Sequence, residues 1–209
     1  MSYSAKDLSR ILTDGKKDDL VIAETAFALV EKTAKPRTVR RRFGLMGDKI
    51  VGTEITLSGE DVKRHLNGCK EVWLIAATVG NEVDNEIKRL SASDLALAHA
   101  FDMAASLKAD SLCDESEREI REEMKREGKS ATPRFSCGYG DFPLSVQPKI
   151  LFALDASKSA GITVSADFTI RPFKLVTAIL GVCEKFEGKA FECGDCRFKS
   201  VCSHKLCAR

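Results

Sequence analysis

The sequence predicts an α+β fold, with long helices packed on a mostly antiparallel sheet and a cysteine-rich metal-binding tail at residues 186–209. Three observations lead there. Residues 81–126 carry apolar positions at helical spacing, with one break, which makes a pair of long helices. Glu71–Gly80, EVWLIAATVG, is the most apolar stretch of the chain and reads as a buried central strand. Four cysteines crowd the last segment, beyond any helical or strand pattern. With 209 residues, 44% of them hydrophobic, the chain has enough apolar surface for a sizeable core. Residues 1–185 then form the main domain, of which 1–35 are a helical N-terminal extension.

Each element follows from local chemistry. Residues 18–34 place Leu20, Ala23, Phe27 and Val30 on one helical face, and Pro36 lies just past the end. Two strands come next, Thr38–Leu45 and Lys49–Leu57, around a turn at Gly47 and Asp48. Ser58 is placed to cap a short helix that Gly68 closes. After the central strand, the helical region breaks at Ser91–Ser93, and Ser93 caps the second helix. Ala96, Ala100, Ala104 and Ala105 let that helix pack closely, and its charged last turns project into solvent. His99, on the same helix, is expected as a packed, hydrogen-bonded side chain rather than a ligand. Gln147–Ala156 reads as a helix with Pro148 in its first turn. Ile162–Ile170 and Phe173–Val182 read as strands joined at Arg171 and Pro172, and hence as an antiparallel pair.

Charge excludes some roles. Lysine and arginine number 33 against 31 aspartate and glutamate, so no long-range field favours nucleic acid. The one basic cluster, Arg37–Arg42 in PRTVRRR, reads as a solvated strand face. The first residues lack the apolar core of a signal peptide, and no run reaches the roughly 20 apolar residues of a membrane helix, so the expected location is the cytoplasm, without a membrane partner. In that compartment eight cysteines are thiols or metal ligands rather than disulfides.

Two segments carry chemistry. PRFSCGYGDFPLS, Pro133–Ser145, combines the planar donor fork of Arg134 with Gly138 and Gly140, whose backbone freedom can expose amides, and with the flat ring of Tyr139. That set suits a small ligand bearing a carboxylate and a planar base; the plain alternative is a surface turn. Cys193, Cys196, Cys202 and Cys207 form C-x2-C-x5-C-x4-C, and its x2 pair can chelate one centre from a tight turn. Both a [4Fe-4S] cluster and zinc accept such a shell, and the spacing is close to that of auxiliary iron-sulfur domains, so the cluster is favoured over zinc. Cys69, Cys113 and Cys183 read as core residues. Cys137, inside the glycine loop, is the cysteine placed for exposure.

Residues 76–106, AATVGNEVDNEIKRLSASDLALAHAFDMAAS, and the R-x-x-x-G-Y of Arg134, Gly138 and Tyr139 resemble the reactivation domain of cobalamin-dependent methionine synthase, in its short free-standing bacterial form. Weaker similarity extends the likeness over most of residues 35–182. The resemblance implies binding of S-adenosylmethionine, with Arg134 on the methionine carboxylate, the backbone near Ser136 at the adenine, Gly138 as a further binding residue of the motif, and Tyr139 at the methyl end as the catalytic-site residue. It implies a corrinoid partner that holds cobalamin, such as methionine synthase; a flavodoxin or ferredoxin is a further candidate partner. The activity would be a methyltransferase-type reactivation, present only in complex with that partner. This chain departs from the long form at two acidic positions, near Ser106 and Gly128; Asp102, Asp110 and Asp141 are the candidates to compensate. The long form also lacks the cysteine tail, and a cluster there would relay the low-potential electron. Two other readings remain: a corrinoid-protein interaction module or chaperone without methyl transfer, and a zinc-stapled regulatory protein.

Overall fold

A computed structural model describes residues 17–186 together with Ser4, Ala5 and Leu8, and in that part the protein is α+β, as expected. The elements are α1 (Lys17–Thr33), β1 (Arg37–Met46), β2 (Lys49–Ile50), α2 (Glu60–His65), β3 (Glu71–Thr78), α3 (Asn81–Ser91), α4 (Leu95–Arg126), β4 (Ser130–Ala131), β5 (Phe135–Ser136), α5 (Gln147–Ala153), α6 (Ala156–Ala160), β6 (Thr163–Val164), β7 (Ile170–Arg171) and β8 (Leu175–Cys183). The main sheet runs β2-β1-β3-β8-β4, and β5 also pairs with β8. Every pairing whose register is defined is antiparallel: Leu45 opposite Ile50, Ser130 opposite Cys183, and Phe135 opposite Ile179. A separate two-stranded sheet joins β6 to β7. None of the helices described is long and apolar enough to cross a membrane.

The chain divides into two units. One comprises Met1–Val39, Ala76–Glu115 and Asp155–Val176. Its interior takes Ala23, Ala26 and Val30 from α1, Val83 and Leu90 from α3, and Ala100, Phe101, Ala104 and Ala105 from α4, all buried. The alanines of α4 therefore pack as their size suggests, except Ala96, which is exposed. The other unit comprises Arg40–Ile75, Ser116–Leu154 and the chain from Thr177 onward. Leu74 and Ile75 of β3, Ile120 and Met124 of α4, Phe135, Ile150 and Ile179 fill its core.

Several expectations are corrected. The strand expected over Lys49–Leu57 stops at Ile50, because Thr53 Oγ1 donates to the Ile50 carbonyl (2.9 Å) and folds the chain back, so that the Ile50 amide reaches Ile55 O (3.1 Å). Ser93 does not cap α4; Asp94 does, accepting from the Leu97 amide at 3.0 Å, as a carboxylate at an N-cap should. The last turns of α4 are not simply solvated, since Ile120 and Met124 are fully buried there. Their charges pair with the arginines of β1: Arg40 with Glu119 (2.9 Å) and Arg42 with Glu127 (2.8 Å), so the basic cluster is largely an ion-paired face. His99 is exposed rather than packed. The helix expected to reach Ala156 ends at Ala153, where Asp155 turns left-handed (φ +48°) and α6 begins anew. Ile162–Ile170 is a hairpin and not one strand: Asp167 draws in the Ser165 hydroxyl and the Thr169 amide (3.2 Å) to form its turn. β7 thus pairs with β6, and β8 takes β3, β4 and β5 as neighbours instead.

Candidate ligand loop

Arg134 enters the loop from the Ala131–Pro133 connection with its side chain largely buried, 14% exposed. Its Nε lies 3.7 Å from Glu117 Oε2 of α4. Glu117 meanwhile accepts two hydrogen bonds from Arg121, at 2.9 and 2.8 Å, so one carboxylate serves both guanidinium groups. A ligand carboxylate at Arg134 would share the fork with Glu117 rather than meet it empty. Ser136, on β5 opposite Ala178, is buried, and its hydroxyl makes no hydrogen bond among the described residues. A buried hydroxyl in that state is a site for a further donor or acceptor.

The glycine turn is closed by hydrogen bonds of its own. Gly138 stands at φ +92°, open to glycine alone at little cost, and its amide donates to Phe142 O (2.8 Å). The Tyr139 amide donates to Ser136 O (3.0 Å), and the Phe142 amide returns to Tyr139 O (2.9 Å). These three bonds occupy the amides of Gly138, Tyr139 and Phe142 and fix the shape of the turn. The turn leaves the ring of Tyr139 39% exposed, and the Leu144 side chain that lies near Gly138 is 63% exposed. Tyr139 meets Phe135 edge to face at 6.2 Å, so a buried aromatic holds the exposed one from beneath.

Cys137 is half-buried and not the open thiol expected from its place in the loop. Burial pushes its pKa up to about 11 against an opposing hydrogen bond from Thr177, which keeps it a protonated, unreactive thiol near neutrality. Cys113 and Cys183 are buried, as read, and Cys69 is half-buried with its thiol pushed up to about 12 by desolvation. Cys193, Cys196, Cys202 and Cys207 lie outside the described residues. Among the described residues no cluster of three or more cysteine, histidine or acidic side chains could hold a metal.

Of the acidic candidates, Asp102 is bound to Lys174 (2.8 Å). Lys174 also donates to the Ser106 hydroxyl (3.0 Å), which itself donates to the Asp102 carbonyl, so position 106 is already engaged by a cation. Asp141 does structural work in the loop itself: its carboxylate accepts from the amides of Glu60 (2.6 Å) and Asp61 (3.1 Å), capping α2 in the role expected of Ser58.

The sequence reading missed His65. It is 8% exposed, stacks on Phe135 at 4.9 Å, and places Nε2 2.8 Å from the carbonyl of Pro133 and 2.9 Å from Thr132 Oγ1. A carbonyl only accepts, so Nε2 carries the proton. Desolvation holds the imidazole below its ordinary pKa, Arg121 adds to the effect, and the bond to Pro133 opposes it. The ring is therefore neutral near pH 7. No sequence signal marked it, because its partners are 67 and 68 residues away.

No family model matches the chain, and no curated protein does. Among solved structures, the crystal structure of the MetH reactivation domain bound to AdoHcy superposes with a TM-score of 0.59 and 17% sequence identity, covering 89% of this chain and 73% of that one. Likeness at this level of identity speaks for architecture alone. This chain has the fold of the MetH reactivation domain.

Proposed function

We propose that the chain binds S-adenosylmethionine at the Arg134–Tyr139 loop and serves as a reactivation module for a separate corrinoid methyltransferase such as methionine synthase. The observation that carries this reading is the pairing of an R-x-x-x-G-Y loop with a fold whose solved relative holds AdoHcy, the demethylated form of the same ligand. The residues fit such a ligand: Arg134 offers its fork to the carboxylate, Ser136 a buried hydroxyl in need of a partner, and Tyr139 an exposed ring where the sulfonium methyl would emerge. Gly138 keeps the turn between them closed. Cobalamin belongs to the partner, and the reaction supported is reductive methylation: cob(II)alamin takes one electron and the sulfonium methyl, releasing S-adenosylhomocysteine. Holding the methyl in line and excluding water accounts for the module's part, which needs no strong acid or base in the loop. On this reading the activity exists only in the complex, and the protein works in the cytoplasm.

Equilibrium dialysis of labelled S-adenosylmethionine against wild type and Arg134→Ala tests the site. Saturable binding that weakens at least about tenfold in the variant, about 1.4 kcal/mol, is the expected result. A folded wild type that binds nothing favours a second reading, a corrinoid-protein interaction module without methyl transfer. That reading is supported by Glu117 beside Arg134 and by the internal bonds of the Gly138, Tyr139 and Phe142 amides.

The electron is proposed to arrive through a [4Fe-4S] cluster at Cys193, Cys196, Cys202 and Cys207, in place of or downstream of a flavodoxin or ferredoxin. Protein purified without oxygen should then contain iron and acid-labile sulfide in equal amounts, both lost on changing Cys193 and Cys196 to serine. Stoichiometric zinc without iron would remove the relay and leave a zinc staple.

A further inference from the structure

α2 is six residues long and offers no side-chain cap of its own at Gly59. A helix this short is marginal in isolation, and its two ends are held by one and the same loop. At its start, the Asp141 carboxylate takes the Glu60 and Asp61 amides. At its end, His65 donates to the Pro133 carbonyl, one residue before Arg134, and lies flat against Phe135, one residue after it. Thr132 ties the same point into the sheet: its hydroxyl lies 2.9 Å from His65 Nε2, donates to Pro133 O (3.0 Å) and accepts from the Gly181 amide (2.9 Å). Pro133 and Asp141 bracket every residue of the R-x-x-x-G-Y signature.

We propose that α2 positions the ligand loop, with His65 fixing its entry and Asp141 its exit, and so sets the spacing between Arg134 and Tyr139 that a bound S-adenosylmethionine requires. Neither residue touches the ligand; both act through the loop backbone, and the inference rests on the binding reading above. The arrangement also accounts for a buried neutral histidine and for an acidic loop residue whose carboxylate is taken up by the first amides of α2.

The test uses the full chain with His65→Leu, His65→Gln, Asp141→Ala and Arg134→Ala, measuring S-adenosylmethionine affinity and amide hydrogen exchange at Gly138, Tyr139 and Phe142. Glutamine keeps an amide donor near the place of Nε2, whereas leucine keeps only bulk. His65→Leu and Asp141→Ala should each weaken binding about tenfold or more and speed exchange at the three amides, and His65→Gln should restore most of both. Rescue by glutamine separates a positioning role from general loosening of the core. If His65→Leu and Asp141→Ala bind as wild type does, or leave exchange at the three amides unchanged, the positioning role is wrong. Should wild type itself fail to bind, or Arg134→Ala bind as tightly as wild type, it is the functional reading that fails, and the exchange data alone then decide whether α2 holds the loop.

Discussion

Phe135→Ala is expected to lower the free energy of unfolding by about 3–5 kcal/mol. The side chain is fully buried, on the strand residue opposite Ile179, and three rings close around it: His65 at 4.9 Å, Phe142 at 6.1 Å and Tyr139 at 6.2 Å. Removing it opens a cavity that none of the three can fill without leaving its own partner. His65 is bonded to Pro133, and Phe142 and Tyr139 are bonded to each other through the turn. Phe135→Leu keeps most of the volume and should cost about 1.5 kcal/mol or less. Urea unfolding followed through Trp73, the only tryptophan, measures both, with an unchanged slope as evidence that stability and not the unfolded state has moved. A cost near 1 kcal/mol for alanine would mean that the loop is an attachment to the core and not part of it.

Much of the fold is legible in the sequence where the cause is local. The apolar run of β3, the break between α3 and α4 and the helix of residues 17–33 all depend on neighbours within a few positions, and each is found where it was expected. Errors arise where a distant group takes over a local role. Ser58 is a good cap by type, but Asp141, 80 and 81 residues away from the amides it binds, does the capping. Ile162–Ile170 alternates like a strand, yet Asp167 gathers Ser165 and Thr169 into a turn, and a hairpin satisfies the same alternation. The candidate site divides in the same way. Arg134, Gly138 and Tyr139 announce a loop by composition, whereas Glu117 and His65, which fix how the loop is held, come from helices that only the tertiary structure brings to it.

Gly59→Ala is the second large effect, expected to cost about 2–4 kcal/mol: about 1–3 for forcing alanine into a backbone region that is nearly exclusive to glycine, and about 1 for a lost cap. Gly59 stands at φ +120° and ψ 142°. A Cβ there would overlap the Asp141 carboxylate, 2.8 Å from its Cγ and 3.1 Å from its backbone oxygen, so the carboxylate must shift and is expected to leave the amides of Glu60 and Asp61. The two parts separate in a double-mutant cycle. In an Asp141→Ala background the cap is already gone and the side chain is out of the way, so Gly59→Ala should cost about 1 kcal/mol less than in wild type. Full additivity would mean that the Asp141 carboxylate swings aside and keeps its hydrogen bonds. The whole cost of Gly59→Ala would then be backbone strain at the start of α2. A coupling of the expected size would instead make Gly59 part of the same device as Asp141: glycine stands at that position so that the exit of the loop can reach the first amides of the helix.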